Sequence, residues 1–309
     1  MSDNNTLILC PGQGAQAISM GQAWAEQYVE AKAVFENAND VLGFDLTRLC
    51  FEGPAEQLNR TDNAQVAIYT ASVACFAGLK SAGVVDRFSA IAGLSLGEFT
   101  ALHLAGAYGF EDGLKLVRLR GEAMQEAAEA SPSSMVAVTG AVTEDAIVAL
   151  CAKVKKALPE SSVLVPANYN SPMQVVVSGS LDACEAVVPE ASAMGFKPTP
   201  LAVAGAFHSP IMQRAAEKLA AALDQIAWSA PTATVLSNVT GRPHTDEPDA
   251  IKARLVEQLT HPVRWSQSMR YAAEQLPGRF MELAPGKVLS GLMRRIDRGI
   301  KVENFDQPK

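Results

Sequence analysis

Apolar and polar positions along this chain follow two rhythms. Residues 6–10, TLILC, form a short unbroken apolar run stopped by Pro11 and Gly12, and a 3.6-residue pattern follows from about Gly21 to Asn39. The pattern predicts strand, turn, helix. The stretch NAQVAIYTASVACFAGLKSAG is helical in period and stops at Gly83, a C-cap glycine, before the apolar run FSAIAG leads into GLSLGEFTAL at residues 93–102. Helices alternating with fully apolar strands at this spacing predict an α/β domain built on a mainly parallel sheet.

Near residue 131 the rhythm changes. SSMVAVTGA reads as a strand, TEDAIVALCAKVKKAL as a helix capped by Thr143, and SVLVPANYN with MQVVVSGS as two strands about a turn at Ser171 and Pro172. LDACEAVVPEASAMG then reads as a helix and FKPTPLAV as a last strand. The order βαββαβ is that of a ferredoxin-like unit. The expected division is a small inserted domain over residues 133–203 and a large α/β domain made of residues 1–132 and 204–309. Beyond the insert, HSPIMQRAAEKLAAALDQI reads as a helix with Ser209 as N-cap and Pro210 at its first position.

Composition narrows the classes. With 309 residues, 48% hydrophobic and 19% charged, the chain can bury a large core. It has no run of about eighteen apolar residues that could span a bilayer. Its start, MSDNNTLILCPGQG, lacks the basic head and long apolar stretch of a secretory signal, so the expected location is the cytoplasm and no membrane partner is expected. Five scattered cysteines without a C-x-x-C pair suggest neither a disulfide framework nor a zinc site. A net charge of −7 argues against nucleic acid as the main partner.

GLSLG places a Gly-x-Ser-x-Gly where a buried strand turns into a helix, the setting in which a strained elbow holds a serine hydroxyl over the sheet edge. Ser95 is therefore the candidate nucleophile, and the N–H of Leu96, at the helix N-terminus, can face a developing oxyanion. Small residues also gather at any sharp turn, and the motif alone does not separate the two readings. Four histidines could serve as base. His103 lies on the same helix as the elbow, about 12 Å along the axis at 1.5 Å per residue, too far from Ser95, and reads as a packed helix residue. His244, in TGRPHTDEP, and His261, before Pro262, read as solvated or capping histidines. His208 closes the apolar stretch LAVAGAF directly before a helix, at the rim of the sheet where ligand crevices of open α/β folds lie, and is the candidate base.

PGQGAQ, GLSLGE, RLRGEAMQEA, NYNSP, GAFHSP, LVEQLTHPVRW and ELAPGKVLSGL occur in an order and spacing that resembles the malonyl-CoA:acyl carrier protein transacylases and the acyltransferase domains of fatty-acid and polyketide synthases. The resemblance runs from about residue 6 to residue 305. It implies an α/β-hydrolase-like core with a ferredoxin-like insert, and a ping-pong transfer of malonyl from malonyl-CoA, through a Ser95 ester, to the phosphopantetheine thiol of acyl carrier protein. His208 would serve both halves, oriented by a backbone carbonyl near Gln258 and not by a carboxylate. The oxyanion hole would be the N–H groups of Gln13 and Leu96. Arg120 would bind the malonyl carboxylate, where a guanidinium fork meets it bidentately; read without the resemblance, it is a surface arginine of a helix. No metal or redox cofactor is implied, since CoA enters as part of the substrate, and a monomer is the default.

Two features of this chain bear on the resemblance. Many members have His directly before the nucleophile, where this chain has Leu94. Phe207, in AFH, resembles the malonyl-selective form that closes the pocket against an α-methyl branch, and reads equally as a core aromatic. Other readings stay open. Gly12, Gly14 and Ala17 fit a dinucleotide-binding fingerprint, but the helical pattern through Glu30 and Glu36 leaves no room for its second strand. An acyl-thioester hydrolase would use the same Ser–His site, and a polyketide-synthase acyltransferase the same chemistry. A non-catalytic carrier-docking protein would use the basic residues Lys287, Arg294, Arg295, Arg298 and Lys301, which could equally form a solvated helix face.

Overall fold

The computed structural model describes residues 5–309; the first four residues, part of the N-terminal stretch read above, lie outside the described residues. Five strands form one parallel sheet: β1 (Thr6–Cys10), β2 (Ala90–Gly93), β7 (Thr234–Leu236), β8 (Arg279–Leu283) and β9 (Val302–Phe305), in the order β7-β2-β1-β8-β9. Every residue of β1 is buried, as expected of a central parallel strand covered on both faces. Its alternate side chains enter different cores. Ile8 and Cys10 pack with Phe35, Ile68 and Phe99, whereas Leu7 and Leu9 pack with Trp265, Met269 and Phe280. The helix Thr61–Ser81 lies in the first of these cores and is buried along most of its length.

The second sheet is antiparallel: β3 (Ser133–Thr139), β4 (Leu164–Ser171), β5 (Gln174–Ser180) and β6 (Lys197–Pro200), in the order β4-β5-β3-β6. Alternation along its strands again separates two environments. Val136, Val138, Val175 and Val177 meet the helices Glu144–Lys155 and Leu181–Ala193, while Met135, Ala137 and Val176 face the main core. Thr143 caps the first of these helices by accepting from the Ala146 N–H at 3.2 Å. The sheet is joined to the large body where Tyr169 N–H donates to Val263 O at 2.9 Å and Val263 N–H to Ala167 O at 2.8 Å.

Two elements differ from the sequence reading. The helical pattern of residues 21–39 is two helices, Gln22–Gln27 and Val29–Leu42, broken at an extended Tyr28. The break lets the Trp24 and Tyr28 rings stack at 5.7 Å over Gly78, where a Cβ would come within 2.6 Å of Trp24. The helix after His208 opens as a 3-10 turn, Pro210–Met212, with Ser209 Oγ accepting from Ile211 N–H, before the α-helix Gln213–Leu223. Between β1 and β2 the described residues form helices and turns, with no second strand for a dinucleotide fold.

The helix Leu96–Leu104 is pressed against the carboxyl ends of β1 and β2. A Cβ on Gly97 would lie 2.1 Å from Cys10 O, and one on Gly93 would lie 1.8 Å from the Gly97 carbonyl carbon. Backbone leaves no room to give, so Gly97→Ala is expected to destabilise the fold by about 3 kcal/mol, and thermal unfolding should show a midpoint lowered by roughly 5 °C or more. An unchanged midpoint would contradict this packing.

Candidate active site

β2 ends at Gly93 and the next helix begins at Leu96, so Leu94 and Ser95 make the whole turn. Ser95 sits at φ 54° and ψ −103°, a strained conformation for a residue with a side chain. Hydrogen bonds hold it there. Ser95 N–H donates to Asn238 Oδ1 at 2.6 Å, and Asn238 Nδ2 donates to Gly93 O at 2.7 Å. The strain turns Ser95 Oγ toward His208, whose Nε2 is 2.8 Å away.

His208 is also at positive φ, 56°. Its Nδ1 lies 2.7 Å from Gln258 O. A carbonyl only accepts, so Nδ1 carries the hydrogen and Nε2 is left to accept from Ser95 Oγ. Burial pushes the His208 pKa down to about 4, the Arg120 charge pushes the same way, and the Gln258 carbonyl opposes both. The imidazole is thus neutral across the ordinary pH range.

Arg120 is 1% exposed, not the surface residue that helical patterning alone suggested. Its guanidinium donates to Gln65 Oε1 at 2.6 Å, Gln258 Oε1 at 2.9 Å and Ser95 Oγ at 3.0 Å, and lies 5.2 Å from the centre of the Phe99 ring. Its Nε, buried, has no hydrogen-bond partner among the described residues. Desolvation lowers its pKa to about 10, countered by the Glu98 charge, so the cation persists. A buried cation with an unspent donor, touching the serine oxygen, suits a ligand that carries an anion close to the reacting carbonyl.

A cavity of about 480 Å³ opens over Ser95 and His208. Gln13, Leu94 and Phe207 line it from the large body, Met135, Asn168 and Val176 from the antiparallel sheet. The N–H groups of Gln13 and Leu96 donate to no protein group among the described residues, and that of Leu96 is an unmatched donor of a helix N-terminus. Lys287, Arg294 and Arg295 lie farther out. They are exposed around the helix Val288–Ile296, whose Val288 and Leu292 form part of the cavity wall, and none is ion-paired among the described residues.

The other histidines divide. His103 is a packed residue whose ring meets Tyr69, Tyr108 and Phe110, and His261 is exposed beside Glu257 O. His244 is not the solvated residue its polar loop suggested. Its side chain is 2% exposed and its Nε2 lies 2.6 Å from Glu98 Oε1. Sequence reasoning also missed Asn238, Gln65 and Glu98. Glu98 alone left a signal: a single carboxylate inside the otherwise apolar run SLGEFTAL.

A strained serine, a neutral histidine fixed by a carbonyl and two free N–H groups at the carboxyl edge of a parallel sheet define a Ser–His site suited to acyl transfer. The chain matches the acyl transferase domain model over residues 7–305 and belongs to that family. It is 40% identical over 303 residues to the malonyl CoA-acyl carrier protein transacylase of Bacillus subtilis (strain 168), covering 98% of this chain and 93% of that protein. The crystal structure of malonyl-CoA:acyl carrier protein transacylase from Xanthomonas oryzae pv. oryzae superposes with a TM-score of 0.93 at 38% identity, covering 100% of this chain and 96% of that one. A malonyl-transacylase solved in complex with its type II PKS acyl-carrier protein (PlMCAT:AntF) has a TM-score of 0.93 at 35% identity, covering 99% of this chain and 97% of that chain.

The lowered His208 pKa fixes a pH profile. A base works unprotonated, so Ser95 modification by a fluorophosphonate should hold level from about pH 8 to about pH 5 and fall as the pH passes through about 4. An acidic limb near the ordinary histidine value of 6.5 would contradict the buried geometry.

Proposed function

We propose that this chain transfers the malonyl group of malonyl-CoA to the phosphopantetheine thiol of an acyl carrier protein through a malonyl ester of Ser95, supplying fatty-acid chain elongation. The observation that carries this reading is the Ser95–His208 contact of 2.8 Å beside the buried Arg120 cation. Ser95 Oγ gives its proton to His208 Nε2 as it attacks the thioester carbon. The oxyanion is met by the N–H groups of Gln13 and Leu96, the C–S bond breaks, and CoA leaves as the thiol with the proton His208 held. In the second half the carrier thiol gives its proton to His208, sulfur attacks the ester, and Ser95 Oγ takes the proton back. An imidazolium with a pKa near 4 returns its proton readily in both halves. The reaction is redox-neutral, and the CoA thioester is substrate, so no metal or other cofactor enters.

Arg120 pairs with the malonyl carboxylate in this reading, and an acetyl group would leave that cation without its anion. Phe207, in the cavity wall beside His208, limits the room for an α-branch. The exposed Lys287, Arg294 and Arg295 take the acidic carrier. All of these groups come from one chain, so the site is complete in a monomer. The cytoplasmic placement rests on the substrate class; among the described residues no helix is long and apolar enough to cross a membrane. The parallel sheet is α/β-hydrolase-like and residues 133–203 form a ferredoxin-like domain set into it, a reading supported by the strand order β4-β5-β3-β6. A second reading, service to a polyketide synthase, is favoured by the likeness to a transacylase solved with a type II PKS carrier.

Intact-protein mass spectrometry after mixing with malonyl-CoA tests the chemistry. The wild type should gain a malonyl adduct that Ser95→Ala lacks and that carrier protein removes. An adduct lost as fast in buffer alone would mean a hydrolase. In Arg120→Ala, malonyl loading should slow by about 10²-fold, the loss of two charged hydrogen bonds, while acetyl loading should not fall in step; equal losses for both acyl groups would sink the carboxylate role. For docking, Arg294→Glu combined with Arg295→Glu should raise the carrier KM at low salt and leave that for malonyl-CoA unchanged. An unaltered carrier KM would remove this face from consideration.

A further inference from the structure

Behind the dyad lies a buried carboxylate that the reaction itself does not use. Glu98 is fully buried in the third position of the helix Leu96–Leu104, where the helix dipole favours an anion. One of its oxygens, Oε2, accepts from two groups on separate segments: Asn238 N–H at 3.2 Å and Gln258 Nε2 at 2.6 Å. Each of those residues holds one half of the dyad. Asn238 Oδ1 fixes Ser95 N–H, and Gln258 O fixes His208 Nδ1. Gln258 Nε2 also donates to Ser95 O at 3.0 Å, so the two arms are cross-linked. The other oxygen, Oε1, faces His244 Nε2 at 2.6 Å.

We propose that Glu98 is the positioning residue of this site: its carboxylate, matched by His244, holds the arm behind Ser95 and the arm behind His208 in one register. Charged and titratable groups converge on it from every side, with Arg120 from the helix Phe110–Ala130, Tyr108 from the preceding turn and His244 from the loop after β7. The hydrogen bonds to the carboxylate come from two parts of the chain, the loop after β7 with Asn238 and His244, and Gln258, which have no direct covalent reason to stay aligned. Removing its charge but not its shape leaves an amide that has one acceptor oxygen for donors on two sides. If that oxygen turns to His244, the Asn238 N–H and Gln258 Nε2 face an NH2 group; if it stays, they share a neutral acceptor weaker than a carboxylate. Either way the two arms are held less firmly, and misplacement of reacting groups by about 1 Å costs on the order of 10²-fold in rate.

The inference rests on Ser95 as nucleophile and His208 as base, and the test separates the two. The full chain is labelled with a fluorophosphonate, a reagent that needs the serine and its base but no acyl carboxylate. Rates are expressed per folded molecule, from circular dichroism and active-fraction titration, and kcat and KM are measured with malonyl-CoA. Wild type should label and Ser95→Ala should not; failure at that step overturns the nucleophile reading itself. With wild type labelling, Glu98→Gln should label about 10²-fold more slowly and lose kcat with little change in KM. His244→Ala, which takes the donor from Oε1, should also slow labelling, and His244→Gln, whose amide can donate there, should recover part of the loss. Wild-type rates in both Glu98→Gln and His244→Ala would overturn the proposal, as would a slowing that disappears once rates are corrected for folded fraction. If Glu98→Gln does not fold, the contrast between His244→Ala and His244→Gln decides: recovery by the glutamine supports positioning, and equal rates in the two overturn it.

Discussion

Two strained backbones sustain this site. Ser95 and His208 are two of only three non-glycine residues at positive φ among the described residues, at 54° and 56°, and each alone costs on the order of 1–3 kcal/mol. Neither conformation survives unless its surroundings over-determine it. For Ser95 that surrounding is the close stacking of glycine backbones at the ends of β1 and β2, together with the Asn238 side chain. For His208 it is the Ser209 turn on one side, where Ser209 Oγ donates to Ala206 O at 2.6 Å, and the Gln258 carbonyl on the other. The contact between Oγ and Nε2 is the meeting point of two distortions, each stored in a different part of the fold.

Charge is distributed to suit that meeting. Burial and the Arg120 charge both disfavour a cationic imidazole, while Glu98 offsets part of the desolvation of Arg120, whose guanidinium stays charged. The arrangement keeps a buried cation and a neutral ring side by side, both reaching the same serine oxygen. Hydrogen bonds fix which nitrogen of the ring is free. A carboxylate in place of the Gln258 carbonyl would raise the basicity of the histidine further; the neutral acceptor orients it and offsets only part of the lowering by burial and Arg120.

Local pattern made much of the fold legible. TLILC, with no polar interruption, became the central strand, and Thr143 and Ser209 cap the segments they were expected to cap, because these features depend on neighbours in sequence. The break at Tyr28 was not legible, since it is decided by ring packing over Gly78, fifty residues away. Three-residue β7 was too short to declare itself. In the site, Ser95 and His208 could be picked out from their places at element ends, whereas Arg120 looked like any helical arginine until burial set it apart. The roles considered for Gln13 and Gln258 concern main-chain atoms, to which side-chain pattern is blind, and those came from family likeness alone. Glu98 and His244 are 146 residues apart, and nothing local says that an acid in an apolar helix and a histidine in a polar loop will meet.

The two hydrogen bonds between β4 and Val263 have a mechanical consequence. Val263 lies five residues beyond Gln258, so the strand that supplies Asn168 to the cavity wall is sewn to the same segment that orients His208. The antiparallel sheet cannot swing away like a lid hinged at its far edge without dragging on the base. The cavity between the sheets is thus tied beside Asn168, while the helix bearing Val288 and Leu292 forms another part of its wall. The wall of the cavity and the support of the histidine are in that sense one piece of the fold.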